Sequence, residues 1–306
     1  MTGRAVAAID CGTNSTRLLV ADENGRELVR LMRITRLGQG VDRNGELAPE
    51  AIARTVGVLH EFRRSMDRFD VDQVRLVATS AVRDAGNGTV FVESARAAVG
   101  VDPEILSGTA EGKLAYSGAS ADLPPFEGDT LVVDIGGGST EITLGRGASV
   151  SSVSLQLGCV RLTERFLKDD PATPEQVAQT RRAIADALTR GEEKLPDLTD
   201  LDPSRRMVGL AGTVSTLASL TLEIDEYDMD RLHHSILART QIEMLCEMLA
   251  SLSARERANL VGMVPGREDV ILGGALVLDV VVARYRCHEV IVSERDILDG
   301  IVLSIL

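Results

Sequence analysis

Two short strings in this chain are near copies of one another. Residues 8–20 read AIDCGTNSTRLLV and residues 132–144 read VVDIGGGSTEITL. Laid over each other without a gap, Asp10 meets Asp134, Gly12 meets Gly136, Ser15 meets Ser139 and Thr16 meets Thr140. Each string is an apolar run, an aspartate, a glycine-containing turn with a Ser-Thr pair, and a second apolar run. A chain that writes this turn twice is constrained to an architecture holding two copies of one supersecondary unit.

The flanking pattern repeats too. In the first half VAAIDCG and STRLLVAD read as strands, and ELVRLMRITRLGQG as a third strand ending in a glycine-containing loop. Ile52, Val56, Leu59 and Phe62 then mark a helical stripe, and VRLVATSAV reads as a strand. A short strand at PEIL leads to Ser107, which suits the N-cap of a helix through Leu114. DLPPFEGD, with two prolines and a glycine, is the best linker signal, so the expected domains are 1–125 and 126–306. The second half runs LVVDIGGG, STEITLG and GASVSSVSLQLG as strands. Helices follow, then the strand-and-turn RMVGLAGT, further helices, and HEVIVSERDILDGIVLSIL as a closing strand and helix. The whole reads as an α/β duplication with its glycine-rich turns facing one another across a cleft.

Bulk properties narrow the function. With 44% hydrophobic and 26% charged residues over 306 positions, the chain is globular and long enough for two domains. No window approaches the ~20 apolar residues of a membrane span. The N-terminus enters a strand directly, so no signal peptide is expected and the expected location is the cytoplasm. Thirty-three basic against 46 acidic side chains give a net charge of −13, which argues against nucleic-acid or anionic-membrane binding. Any phosphate site must then be made locally positive by backbone N–H groups, arginines or a divalent cation. The four cysteines lie far apart, with none at metal-ligand spacing. Cys11, inside the first turn, is either a packing residue or a redox-sensitive thiol.

A glycine-rich turn between strands exposes successive N–H groups in a concave nest that suits phosphate oxygens. Ser15, Thr16, Ser139 and Thr140 add hydroxyls, and Thr13 and Asn14 add polar reach. Asp10 and Asp134 repel phosphate, so their use is to hold a divalent cation, magnesium (Mg2+) or manganese (Mn2+), between protein and phosphate. The bland alternative is that Gly136, Gly137 and Gly138 only make a tight hairpin. A third turn places Gly212 and Thr213 at a helix N-terminus, which favours anions or is a simple cap.

The ordered strings DCGTNSTR, ATSAVRDAGN, SGTAEGKLAYSG, VVDIGGGSTE, LGCVRLTERF, GLAGTVSTLA, VPGREDVILGG and VSERDILDG resemble the exopolyphosphatase / guanosine pentaphosphate phosphohydrolase (Ppx/GppA) family over essentially the whole chain. The resemblance implies a duplicated actin-like / ribonuclease H-like ATPase fold, two domains with a phosphate-binding cleft between them. It implies magnesium-dependent hydrolysis of the terminal phosphate of inorganic polyphosphate or guanosine pentaphosphate. It also implies that Glu111, in SGTAEGK, orients the attacking water. Ala110 stands where the family has another glutamate and Lys113 where it has arginine, so Glu111 is the sole candidate in that motif. By the same resemblance Glu141 is a metal-side carboxylate and Arg83 a phosphate contact. Arg17, at the position of Glu141 in the repeat, is read as a further phosphate contact.

Arg267 is open between substrate contact and pairing with Asp269, His233 and His234 read as a solvated loop, and Arg205 and Arg206 as a solvated strand start. Ending after one closing helix, the chain reads as a short two-domain form suited to short polyphosphate. The apolar segments LGGALVLDVVVARY and ILDGIVLSIL suit either a homodimer interface or the core. The competing functions are guanosine pentaphosphate hydrolysis, a superfamily kinase, and a non-catalytic nucleotide or alarmone sensor.

Overall fold

The computed structural model describes residues 5–306. The chain forms two units, one holding the chain up to Ala121 together with Asp296–Leu306, the other Asp122–Arg295. The sheet of the first unit contains β1 (Ala5–Cys11), β2 (Ser15–Asp22), β3 (Glu27–Ile34), β4 (Val71–Ala78) and β5 (Glu104–Ile105), in the order β3-β2-β1-β4-β5. The first three strands form an antiparallel meander, while β4 and β5 run parallel to β1. A parallel return needs a crossover, and the helices Pro49–Met66 and Gly88–Val99 supply the two. Their inner faces bury Leu59, Phe62, Met66 and Phe91, so the stripe read from Ile52 to Phe62 is the core face.

The second unit repeats this plan with β6 (Thr130–Ile135), β7 (Thr140–Arg146), β8 (Ser149–Leu155), β9 (Arg206–Leu210), β10 (Ile236–Ala238) and β11 (Glu289–Val292). Its order is β8-β7-β6-β9-β11, with β10 added antiparallel at the edge. β6, β7 and β8 form the meander, and β9 and β11 run parallel to β6. This is the order of the first sheet again, a duplicated ribonuclease H-like, actin-type fold. The edge strand β10, three residues long, carried no readable period.

The helix Ile271–Arg284 is buried at nearly every position from Ile271 to Val282, as expected of a helix apolar all round. Its apolarity is accounted for inside the second unit and leaves it no interface role.

The C-terminal segment corrects the expected domains. Residues 296–306 belong to the first unit, and the boundary falls at Ala121, at the start of the linker string. The reason is a close helix–helix contact. A Cβ on Gly118 would stand 1.9 Å from the Asp296 carbonyl oxygen, and one on Gly300 1.9 Å from that of Leu114. Two glycines thus let the helix Ile297–Leu303 lie backbone to backbone on the helix Gly108–Ser120, burying Ile297, Leu298, Ile301 and Val302. The second apolar segment is therefore also core. Smaller differences are local: AVRD lies in a short helix, Ser80–Asp84, and the helix after β9 begins at Ala211, whose φ is 66°.

Candidate active site

Both glycine-rich turns are built alike. In the first unit the Gly12 N–H donates to the Ser15 carbonyl at 3.0 Å, and in the second Gly136 donates to Ser139 at 3.0 Å. The register puts Asp10 opposite Arg17 and, in the second copy, Asp134 opposite Glu141. The threonines are spent on the fold: Thr16 Oγ1 meets Thr35 Oγ1 at 2.9 Å, and Thr140 donates to the Leu157 carbonyl. The hydroxyls of Ser15 and Ser139 have no hydrogen bond among the described residues. Of each hydroxyl pair, the serine is the one left available.

Thr13, named with the substrate-binding residues, has its hydroxyl 2.9 Å from Ser80 Oγ, tying the turn to the short helix that carries Arg83. The Asn14 backbone carbonyl accepts from the N–H groups of Thr35 and Arg36, while its buried Nδ2 has no acceptor among the described residues. An unmatched buried donor is costly and suits an incoming oxygen ligand.

Arg17 is placed differently from the expectation of a phosphate contact. Its Nε and Nη2 donate to one oxygen of Asp10, Oδ2, at 3.1 and 2.7 Å, and its Nη1 donates to Asp296 Oδ2. Asp10 Oδ1 is buried and accepts no hydrogen bond among the described residues. Burial pushes the Asp10 carboxyl above its usual range, with Arg17 opposing. Burial and then the neighbouring Asp10 charge raise the Cys11 thiol well above its own range, so Cys11 is an inert packing residue.

Glu111 sits in the first turn of the helix Gly108–Ser120, whose N-cap Ser107 accepts from the Ala110 N–H. Its side chain is only 11% exposed, and Oε2 receives Arg83 Nη1 at 3.2 Å. The same Nη1 donates to the Leu106 carbonyl at 2.7 Å, which fixes the guanidinium. Arg83 Nη2 has no acceptor among the described residues. Arg83 therefore holds Glu111 and retains a donor edge.

In the second unit the glycine carbonyls face inward. Cys159 N–H donates to Gly136, those of Val160 and Arg161 donate to Gly137, and Arg161 Nε donates to Gly138. Gly158 is obligatory here, because a Cβ would lie 2.0 Å from the Gly137 oxygen. Each peptide is planar and trans, so the N–H groups following those carbonyls, on Gly137, Gly138 and Ser139, point the opposite way. That is the orientation a nest requires. Asp134 and Glu141 are both buried, and Glu141 Oε1 accepts from Ser154 Oγ at 2.6 Å.

The third turn divides. Thr213 is buried and packs on Gly274, so it serves the core. Gly212 makes room for Arg267, whose Nη2 lies 1.8 Å from where a Cβ would stand. Arg267 is buried at that helix start, and only Gly212 admits it.

Sequence reasoning missed Asp296 and the partners of His233 and His234. The two histidines lie in a turn with His234 exposed, as the loop reading expected. Their rings, however, stack 3.8 Å apart and His233 Nε2 lies 2.8 Å from Asp122 Oδ2, so the turn carries a structured cluster. Arg295 Nε pairs with the same Asp122 oxygen. Burial works to raise that carboxyl, but His233 and Arg295 together hold it below its usual range. Arg205 and Arg206 donate to the Tyr285 and Pro124 carbonyls.

Two copies of an aspartate–turn–serine hairpin on matching sheets, with a buried glutamate clamped at a helix start, make this a phosphate-handling enzyme on a duplicated actin-type fold. The chain belongs to the Ppx/GppA phosphatase family, which matches residues 19–306. It is 41% identical to exopolyphosphatase 2 of Mycobacterium tuberculosis (strain ATCC 25618 / H37Rv), over 98% of each chain. An exopolyphosphatase structure from Cytophaga hutchinsonii ATCC 33406 superposes with a TM-score of 0.90 at 26% identity, covering 99% of this chain and 97% of the other. A Ppx/GppA family member from Aquifex aeolicus superposes with a TM-score of 0.80 at 34% identity, covering 98% and 97%.

Proposed function

We propose that this chain is an exopolyphosphatase that removes the terminal phosphate of inorganic polyphosphate by attack of water on the phosphoanhydride, with magnesium or manganese as cofactor. The observation that carries the reading is Glu111, a buried carboxylate at a helix start, held by an arginine that keeps a free donor edge. Phosphoryl transfer to water needs a group to orient the nucleophile and donors to neutralise the phosphoryl oxygens. Glu111 accepts a hydrogen bond from the water and takes its proton as the oxygen attacks. In the first unit the candidate donors for phosphate are Arg83 Nη2 and Asn14 Nδ2, and in the second, taken by itself, the N–H groups of Gly137, Gly138 and Ser139. Ser15 and Ser139 add hydroxyls, and Arg267 beside Gly212 adds a charge.

The residues fit a divalent cation. In the first unit Asp10 presents a buried carboxylate oxygen with no hydrogen bond among the described residues. In the second, considered separately, Asp134 and Glu141 place two carboxylates at one cross-strand position, where like charges disfavour each other. A bound cation would offset the polyanion's charge and draw electron density from the phosphorus. Relatives named exopolyphosphatase favour polyphosphate over guanosine pentaphosphate. The net charge of −13 favours short chains, since a long polyanion gains repulsion with length.

The test is phosphate release from polyphosphates of defined length and from guanosine pentaphosphate, each with magnesium and with chelator. Faster, magnesium-dependent release from short polyphosphate is expected. Release from guanosine pentaphosphate alone, or from neither, would overturn the reading, and release that rises with chain length would remove the short-chain preference.

A further inference from the structure

We infer that Asp296 is a positioning residue for the cation-binding carboxylate of Asp10, acting through Arg17. The inference rests on the reading of Asp10 as a cation ligand.

The register of β1 and β2 places Asp10 and Arg17 on one face, and Arg17 closes Nε and Nη2 on the single oxygen Oδ2. This leaves Oδ1 as the one carboxylate oxygen free to take a ligand. Which oxygen is left, and where it points, therefore depends on the angle of the guanidinium plane. A flexible arginine does not set that angle alone. Its third nitrogen, Nη1, is fixed by Asp296 Oδ2. Asp296 in turn cannot swing, because its Oδ1 accepts the Leu298 N–H at the start of the C-terminal helix and its own N–H donates to Asp299 Oδ2. Gly118 and Gly300 lock that helix to its neighbour.

The two oxygens of Asp296 thus have separate tasks, one for its helix and one for Arg17. A residue that only capped the helix would need the first alone. The charges point the same way. Asp10, Arg17 and Asp296 carry one net negative charge, buried or nearly so, and a divalent cation at Asp10 Oδ1 would offset it. Outer-sphere partners of this kind orient metal ligands, and losing one costs roughly 10- to 100-fold in metal affinity.

The experiment measures Mn2+ binding to the full chain without substrate, by the electron paramagnetic resonance signal of free Mn2+, alongside phosphate release as a function of Mn2+. Asp296→Asn keeps a carbonyl oxygen for the Leu298 N–H and removes the charged acceptor from Arg17. Arg17→Lys keeps the charge and loses the fork, so it reports on the same link if the first variant folds poorly. Arg75→Gln, which removes the guanidinium donor to Ser304 Oγ at the other end of the C-terminal helix, is the control for loosened packing. Both test variants should bind Mn2+ roughly tenfold more weakly. Each should need correspondingly more Mn2+ for half-maximal release, with the control within twofold of wild type. Wild-type affinity in both test variants, equal weakening in the control, or no Mn2+ binding by the wild-type chain would each overturn the inference. Mn2+ binding that follows the expected order in a chain releasing no phosphate would instead sink the exopolyphosphatase reading and leave the inference standing.

Discussion

Thr140 and Ser139 are neighbours in one turn with opposite roles. Thr140 is fully buried with its hydroxyl on the Leu157 carbonyl, whereas Ser139 is uncommitted. Thr140→Val should therefore cost about 1 kcal/mol of stability in urea melts, the net worth of one hydrogen bond, and leave the KM for polyphosphate near wild type. Ser139→Ala should do the reverse, raising KM with an unchanged melt. Gly212→Ala tests Arg267: a methyl group there collides with the guanidinium, and phosphate release should fall at least tenfold even if the fold survives, as misplacement near chemistry does. The sequence repeat pointed to the turns and the aspartates because both are local. It could not divide labour within them, because that depends on partners such as Thr35, Ser80 and Asp296, far along the chain. Arg17 shows the limit most clearly: as a cation near phosphate turns it suggested a substrate contact, and only the register with Asp10 and the return of Asp296 reveal an internal clamp.

At the scale of elements, the β1–β2–β3 and β6–β7–β8 meanders were legible because alternating apolar runs meet glycine turns, and the helix over Ile52–Phe62 because its stripe is strong. The C-terminal helix was legible as a helix and not as part of the first unit. Nothing local distinguishes a glycine that ends a turn from Gly118 and Gly300, which admit a neighbouring backbone. Gly300→Ala should cost about 1–3 kcal/mol or more, the penalty of overpacking, and should lower activity by shifting Asp296.

A second element-scale prediction concerns Asp129, which enters β6. It accepts Arg146 Nε and Nη2 at 2.9 and 2.7 Å and the Asp202 N–H at 2.8 Å, pinning β6 to β7 and to the approach to β9. The hydrogen bonds from Arg146, outweighing the cost of burial, hold its carboxyl below the usual range. A carboxyl that ionises lower in the native state than its unfolded value of about 4 contributes fully at neutral pH. It loses that contribution as pH falls from about 4 through the native value. Asp129→Asn should thus be less stable than wild type at pH 7, by about 1.5–3 kcal/mol in urea titrations, with the gap narrowing in acid. A gap that widens below pH 4 would contradict the assignment.

At the scale of the whole molecule, a chain of net charge −13 can meet a polyanion only where that charge is locally offset, as the donor edge of Arg83 and the buried Arg267 would do. The duplicated architecture was readable because the repeat is written twice in register, and relatives aligned end to end bear out the family. The central claim is that Glu111 orients the water while the rest of the site binds and neutralises phosphate. Its most direct test is single-turnover phosphate release from short polyphosphate by wild type and Glu111→Gln, with polyphosphate affinity measured in parallel. The account predicts release slowed by roughly 10²–10⁴-fold, the usual worth of a positioned general base, with affinity within a few fold of wild type. Undiminished release from Glu111→Gln would contradict it.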